Sequence, residues 1–174
     1  MKKDNKNGFT LVETLVAIAI LLLAVAAPLS LATKSLNSSA LSKQQIIASF
    51  LAQEAMEFIR NVRDENVLKG GANNWLKGSS GGIKIERECV DSKCQIDAFY
   101  KEIENCSGAC SPLLYNSNTG LFNTRDGSVS PYTQAVEITQ INNQEIAVKV
   151  TVSWKGTNGA DYKVIARENL TNWQ

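Results

Sequence analysis

Apolar and polar positions are unevenly spread along the chain. Thr14–Thr33 reads TLVAIAILLLAVAAPLSLAT, twenty residues without a charge. As a helix it reaches about 30 Å, the thickness of a bilayer's hydrocarbon core. From Lys34 to Asn66 the pattern turns amphipathic, with Ile47, Leu51, Ala55, Phe58 and Val62 spaced as one helical stripe and Lys43, Gln44, Gln53, Glu54, Glu57 and Arg60 supplying polar surface. The pattern predicts one helix from about Phe9 to Asn66, bent or loosened at Pro28, and ended by Asp64-Glu65-Asn66 and the glycines after Lys69. Gly70–Gly82 reads as a flexible connection. Strict period-two alternation then marks Gln144–Trp154 as a strand with one buried face. Tyr162–Leu170 returns from the Asn158-Gly159 turn, and Tyr132–Ile141 comes before, giving a three-strand antiparallel meander. Ile83–Val90 and Cys94–Ile103 read as a separate hairpin around Asp91-Ser92-Lys93. The expected class is α+β, with the sheet's buried face on the Ile47–Val62 stripe.

The N-terminal end sharpens this picture. Met1–Gly8 is short, polar and net basic, and basic flanks stay preferentially on the cytoplasmic side of an apolar span. The N-terminus is therefore expected inside and the bulk of the chain outside. A cleaved secretory signal has a shorter apolar stretch, followed by a small-residue cleavage site and a mature domain. Here the stretch is longer and runs on into a polar helix. Glu13 interrupts the apolar run, and a carboxylate at bilayer depth costs about 2.5–3.5 kcal/mol on insertion scales. Either it lies near the headgroups, where that cost falls, or it has a partner.

Gly8-Phe9-Thr10-Leu11-Val12-Glu13-Thr14-Leu15-Val16-Ala17-Ile18 resembles the signature of type IV prepilins and of type II secretion pseudopilins. The resemblance implies that residues 1–8 are a leader removed by a prepilin peptidase, that the cut falls between Gly8 and Phe9, and that Phe9 is then N-methylated. Glu13 becomes the fifth residue of the mature chain. It lies on one helical face with the new Phe9 amine, and its family role is to meet a neighbouring subunit's amine during assembly. A buried charge of this kind acts as a register device, costly alone and satisfied when paired. Residues 51–64 further resemble minor pilins of the PilV type. The domain division that follows is leader 1–8, transmembrane and filament-core helix 9–33, amphipathic helix 34–66, a loop region with a cysteine-bearing hairpin 67–131, and the meander 132–174.

The resemblance implies a structural subunit of a type IV pilus, most like a minor pilin, and not an enzyme. Its implied partners are other pilin subunits, the prepilin peptidase and methylase, an assembly ATPase with its inner-membrane platform, and the membrane. Its implied location is the bacterial inner membrane, then the pilus and cell surface. A pseudopilin of a secretion or DNA-uptake machine shares the N-terminal chemistry. A single-pass anchored ectodomain with ligand-binding or enzymatic activity is the alternative of another class.

Charge and composition agree with work done by assembly. The chain has 18 Lys+Arg, 17 Asp+Glu and no histidine, for a net charge of +1. Removal of residues 1–8 takes three lysines and one aspartate, so the balance becomes 15 − 16 = −1. No basic excess points to nucleic acid, and imidazole bases and histidine metal ligands are absent. No phosphate-binding glycine loop, nucleophile elbow or C-x-x-C is present. Neither a cofactor nor a metal is expected. Trp75, Trp154 and Trp173 have no basic groove around them for single-stranded DNA, and sheet packing is the better reading of Trp154. Glu86/Glu88 and Glu102/Glu104 fall at i,i+2 on the expected strands, on one solvated face.

Export favours disulfides, and nearness in sequence pairs Cys89 with Cys94 and Cys106 with Cys110. Four cysteines allow three connectivities, and an all-cysteine zinc site or free thiols remain alternatives. Many pilins carry a single disulfide near the C-terminus. These cysteines sit earlier, so no receptor-binding loop carries over.

Overall fold

The computed structural model describes residues 10–78, 83–156 and 159–172, and divides the chain into two compact units, Met1–Ser42 and Lys43–Gln174. Helix α1 runs over Leu11–Gly70 without interruption at Pro28. It continues one turn past the expected end because Asn66 is inside it, buried at 2% exposure. The stop comes at Gly71, whose N–H bonds the Val67 carbonyl at 2.9 Å and whose φ of 73° is the left-handed cap that glycine adopts without a Cβ penalty.

The second unit holds the core. After a 3₁₀ turn at Ala72–Asn74 and a short helix α2 at Ile85–Cys89, seven strands follow: β1 Lys93–Asp97, β2 Glu102–Asn105, β3 Pro112–Asn116, β4 Leu121–Asn123, β5 Ser128–Asn142, β6 Glu145–Lys155 and β7 Asp161–Thr171. All join one antiparallel sheet. The expected meander is present as β5–β6–β7, and Asn158 of its second turn lies outside the described residues. Ile146, Val148, Val150, Val152 and Trp154 of β6 are buried, and every intervening residue is partly open. The helix and the sheet face pack together, so the architecture is α+β and pilin-like.

The helix stripe is rotated from its expected centre. Ala48, Leu51, Ala52, Ala55, Met56, Ile59 and Val62 are buried, while Ile47 and Phe58 lie at the edge, half-buried. Three alanines share the buried face with Leu51, Met56, Ile59 and Val62. Each fully buried aliphatic side chain contributes about 1.5–3 kcal/mol relative to exposure. Arg60 clamps the helix to β7, its guanidinium donating to both Glu168 oxygens at 3.2 and 2.6 Å.

Three expectations are corrected. Ile83–Val90 is not a strand: Ile85 and Cys89, both at 0% exposure, are four apart on helix α2. Its short run of apolar and charged residues fits period two and period 3.6 alike, and burial of one turn decided between them. Glu86 and Glu88 consequently do not share a strand face. The hairpin is instead β1–β2, and it is not separate, because Lys93 and Cys94 pair with Glu137 and Val136 of β5. The Gly70–Gly82 connection is also anchored in its described part. Trp75 and Leu76 are 4% exposed, and the Asn66 amide donates to the Trp75 and Ile83 carbonyls at 3.1 Å.

Strand β5 organises the sheet. One edge pairs with β6 along nearly its whole length. The other edge is shared, with β3 against Ser128–Thr133 and β1 against Val136–Glu137. Gln134 sits where the ladder divides, at 2% exposure. Its Oε1 accepts from the Ile96 N–H at 3.0 Å, and its Nε2 donates to the Leu51 carbonyl of α1 at 3.3 Å. Asp97, 1% exposed, closes the same region by accepting from the Tyr100 N–H, the Thr124 N–H and the Thr124 hydroxyl at 2.7–2.9 Å.

Candidate assembly site

The N-terminal helix carries the sequence-derived site. Gly8 and Phe9 lie outside the described residues. Thr10 is in place as the N-cap, its Oγ1 accepting from the Glu13 N–H at 3.3 Å and its carbonyl from the Thr14 N–H at 3.2 Å. Thr10-Leu11-Val12-Glu13 has capping-box spacing, with a hydroxyl residue at the N-cap and a glutamate three positions on. That spacing is the signal by which this local role of Thr10 could be found in the sequence. It places the carboxylate in the first helical turn, where the helix dipole favours negative charge.

The Glu13 side chain is exposed and makes no ion pair among the described residues. The following span is exposed throughout, with Leu11, Leu21, Leu23 and Leu31 each 65–75% open. Its most apolar 18-residue window has a mean hydropathy of 2.7 and no buried residue. Among the described residues nothing covers these side chains. A lipid phase or other subunits would supply that cover. Pro28 lies within this span, and the Ser30 hydroxyl bonds the Ala26 carbonyl at 3.1 Å close by.

In the second unit Cys89 bonds to Cys94 and Cys106 to Cys110. The first bridge ties α2 to β1 and is fully buried. The second ties the end of β2 to the residues before β3 and is half-buried. With all four cysteines in disulfides, no thiolate remains for an all-cysteine zinc site. Trp75 and Trp154 are each 4% exposed and offer no free face for base stacking. Trp173 lies outside the described residues.

Along α1 a cleft of about 520 Å³ opens beside the β3–β4 turn, lined by Phe50, Glu54, Leu121 and Phe122 among others. The Glu54 carboxyl on its rim is held above its ordinary range, first by partial desolvation and second by the Asp97 carboxylate. Gln134 and Asp97 are missed by sequence reasoning. Their types mark surface residues in a linear reading, and only the divided ladder shows what they satisfy.

The fold thus defines a long N-terminal helix on an antiparallel sheet, with an uncovered apolar first half and an acidic residue in its opening turn. The family model of the prokaryotic N-terminal methylation motif matches residues 3–27, a span that includes Gly8, Phe9 and Glu13. Neither a curated protein nor a solved structure matches the chain. The motif supports the type IV pilin and pseudopilin family. It implies processing by a prepilin peptidase and assembly with other pilin subunits, and the apolar helix fits a membrane-anchored pilin.

Proposed function

We propose that this protein is a minor pilin, a structural subunit built into a type IV pilus, whose work is assembly and not catalysis. The observation that carries the reading is the methylation motif over residues 3–27, which overlaps the uncharged span 14–33 at the start of a helix long enough to cross a bilayer. The leader, residues 1–8, stays on the cytoplasmic side of the inner membrane, and the peptidase cuts between Gly8 and Phe9. Cleavage creates a cationic amine on Phe9, which is N-methylated. In the low dielectric of the filament core this amine attracts the Glu13 carboxylate of an adjoining subunit. The assembly ATPase and its membrane platform then move the apolar helix from lipid into a bundle of like helices, which keeps its surface away from water. The second unit is left to form the outer surface. The PilV-like residues 51–64 favour a minor subunit over a pseudopilin.

Intact-mass spectrometry of protein from native membranes and sheared filaments tests the reading. The expected chain starts at methylated Phe9 and is lighter by two protons for each disulfide. A chain retaining Met1 and present only as unassembled membrane protein would overturn it.

A further inference from the structure

At the end of the sheet where β5 turns into β6, a second cleft of about 700 Å³ opens between that turn, the 3₁₀ segment and helix α2. Its volume lies within the range of small-ligand sites. Asn73, Gln140, Asn143, Gln144 and Asn172 supply five primary amides to its wall, with Lys77 and Glu86 as the charged members and the buried Trp75 and Leu76 behind them. Among the described residues, the side chains of Asn73, Lys77, Glu86, Asn143 and Gln144 enter no hydrogen bond or ion pair. Gln140 spends only its Nε2, on the Asn142 carbonyl at 3.3 Å. The wall is therefore rich in hydrogen-bonding capacity that the fold does not consume.

We propose that this cleft binds a neutral saccharide. A primary amide offers two donors and one acceptor oxygen, and a hydroxyl both donates and accepts, so a row of amides is matched by a row of sugar hydroxyls. One lysine against one glutamate leaves the cleft without net charge, which disfavours a phosphate or a metal cation, each needing an excess of opposite charge. Fixed elements hold the wall. The Glu86 N–H bonds the Leu76 carbonyl at 3.1 Å, and the Asn172 N–H bonds the Gln144 carbonyl at 2.8 Å. Asn143 and Gln144 occupy an exposed turn and carry no packing, so they select ligand without supporting the core.

The test uses the full chain in a detergent with no sugar headgroup, since a maltoside would compete. Saturation-transfer NMR is recorded with maltose, lactose and N,N′-diacetylchitobiose, and again with inorganic phosphate as competitor. Saturable transfer to at least one disaccharide is expected, with a dissociation constant of about a millimolar or below. The Asn143→Ala/Gln144→Ala double variant should weaken it by about tenfold or more while unfolding at the wild-type temperature. Lys77→Met and Glu86→Gln should each change it by less than about threefold, because neutral hydrogen bonds dominate. No saturable transfer from any of the three sugars would overturn the proposal. So would unchanged affinity in the double variant, or displacement of the sugar by phosphate.

Discussion

Replacing Gln134 by glutamate keeps the side chain's shape and changes one donor into an acceptor. In the wild-type protein the amide Nε2 donates to the Leu51 carbonyl while Oε1 accepts from the Ile96 N–H, all at 2% exposure. With its carboxylate ionised, Gln134→Glu preserves the Ile96 bond but sets a negative oxygen against the Leu51 carbonyl without water to screen it. Protonation restores a donor, so the variant can escape the charge by binding a proton. That escape sets the ceiling on the damage. With an unfolded-state value of about 4.3 for glutamate, holding the group neutral costs at most about 3.7 kcal/mol at pH 7 and about 1 kcal/mol at pH 5. The folded value is raised, so the penalty is complete above it and disappears below the unfolded value. Urea unfolding of full-length wild type and variant, disulfides intact, should give a difference of about 3 kcal/mol at pH 7 that shrinks to about 1 kcal/mol at pH 5. Equal stability at pH 7, or a difference that does not change with pH, would refute the role assigned to Gln134 at the split in the sheet.

Glu13→Ala should be cleaved after Gly8 at the normal rate but enter filaments poorly, as measured by immunoblots of sheared pili against membranes. Gly127 has a φ of 119°, and a Cβ there would collide with the Tyr115 backbone of β3. Gly127→Ala should therefore lower stability by about 1–3 kcal/mol in thermal unfolding. Glu137 is held below its ordinary carboxylate range, chiefly by the hydrogen bond from Lys149 at 2.7 Å. This depressed value adds stability above the unfolded carboxylate range, lost as pH falls through the folded value; Lys149→Met should move the Glu137 titration upward by carbon NMR. Mild reductant should open Cys106–Cys110 before the fully buried Cys89–Cys94, read by differential alkylation, each opening removing about 2 kcal/mol of loop-closure stabilisation.

The short elements between helix and meander carry the weakest signal in the sequence. Ile83–Val90 is too short for its periodicity to separate helix from strand, and the burial of Ile85 and Cys89 against the rest of the fold settled it. Pro112–Asn116 and Leu121–Asn123 have no strand signal of their own, because a turn rich in asparagine and glycine outweighs three or four apolar residues. Pro112–Asn116 is a strand because β5 extends far enough to give it an edge, and Leu121–Asn123 pairs in turn with Pro112–Asn116. A hydrophobicity pattern centres the helix stripe on Ile47 and Phe58 because they are large, yet Ala48, Ala52 and Ile59 are buried instead. Alanine adds little to such a pattern, so it marks the centre of a buried face poorly.

What the sequence alone determined is whatever depends on neighbours along the chain. The uncharged span of 14–33, the Thr10–Glu13 spacing at its start, the motif around Gly8 and Phe9, and the alternation of β6 are all local, and local spacing fixes the period of an element and the solvent it suits. The tertiary structure alone decided where the ladder along β5 divides, how far the buried face of α1 is turned from Ile47 and Phe58, and why Gln134 and Asp97 are buried. Those depend on backbone groups that lose their partners only when distant strands meet, and nothing in the linear order marks an Ile96 N–H that will need a glutamine from strand β5.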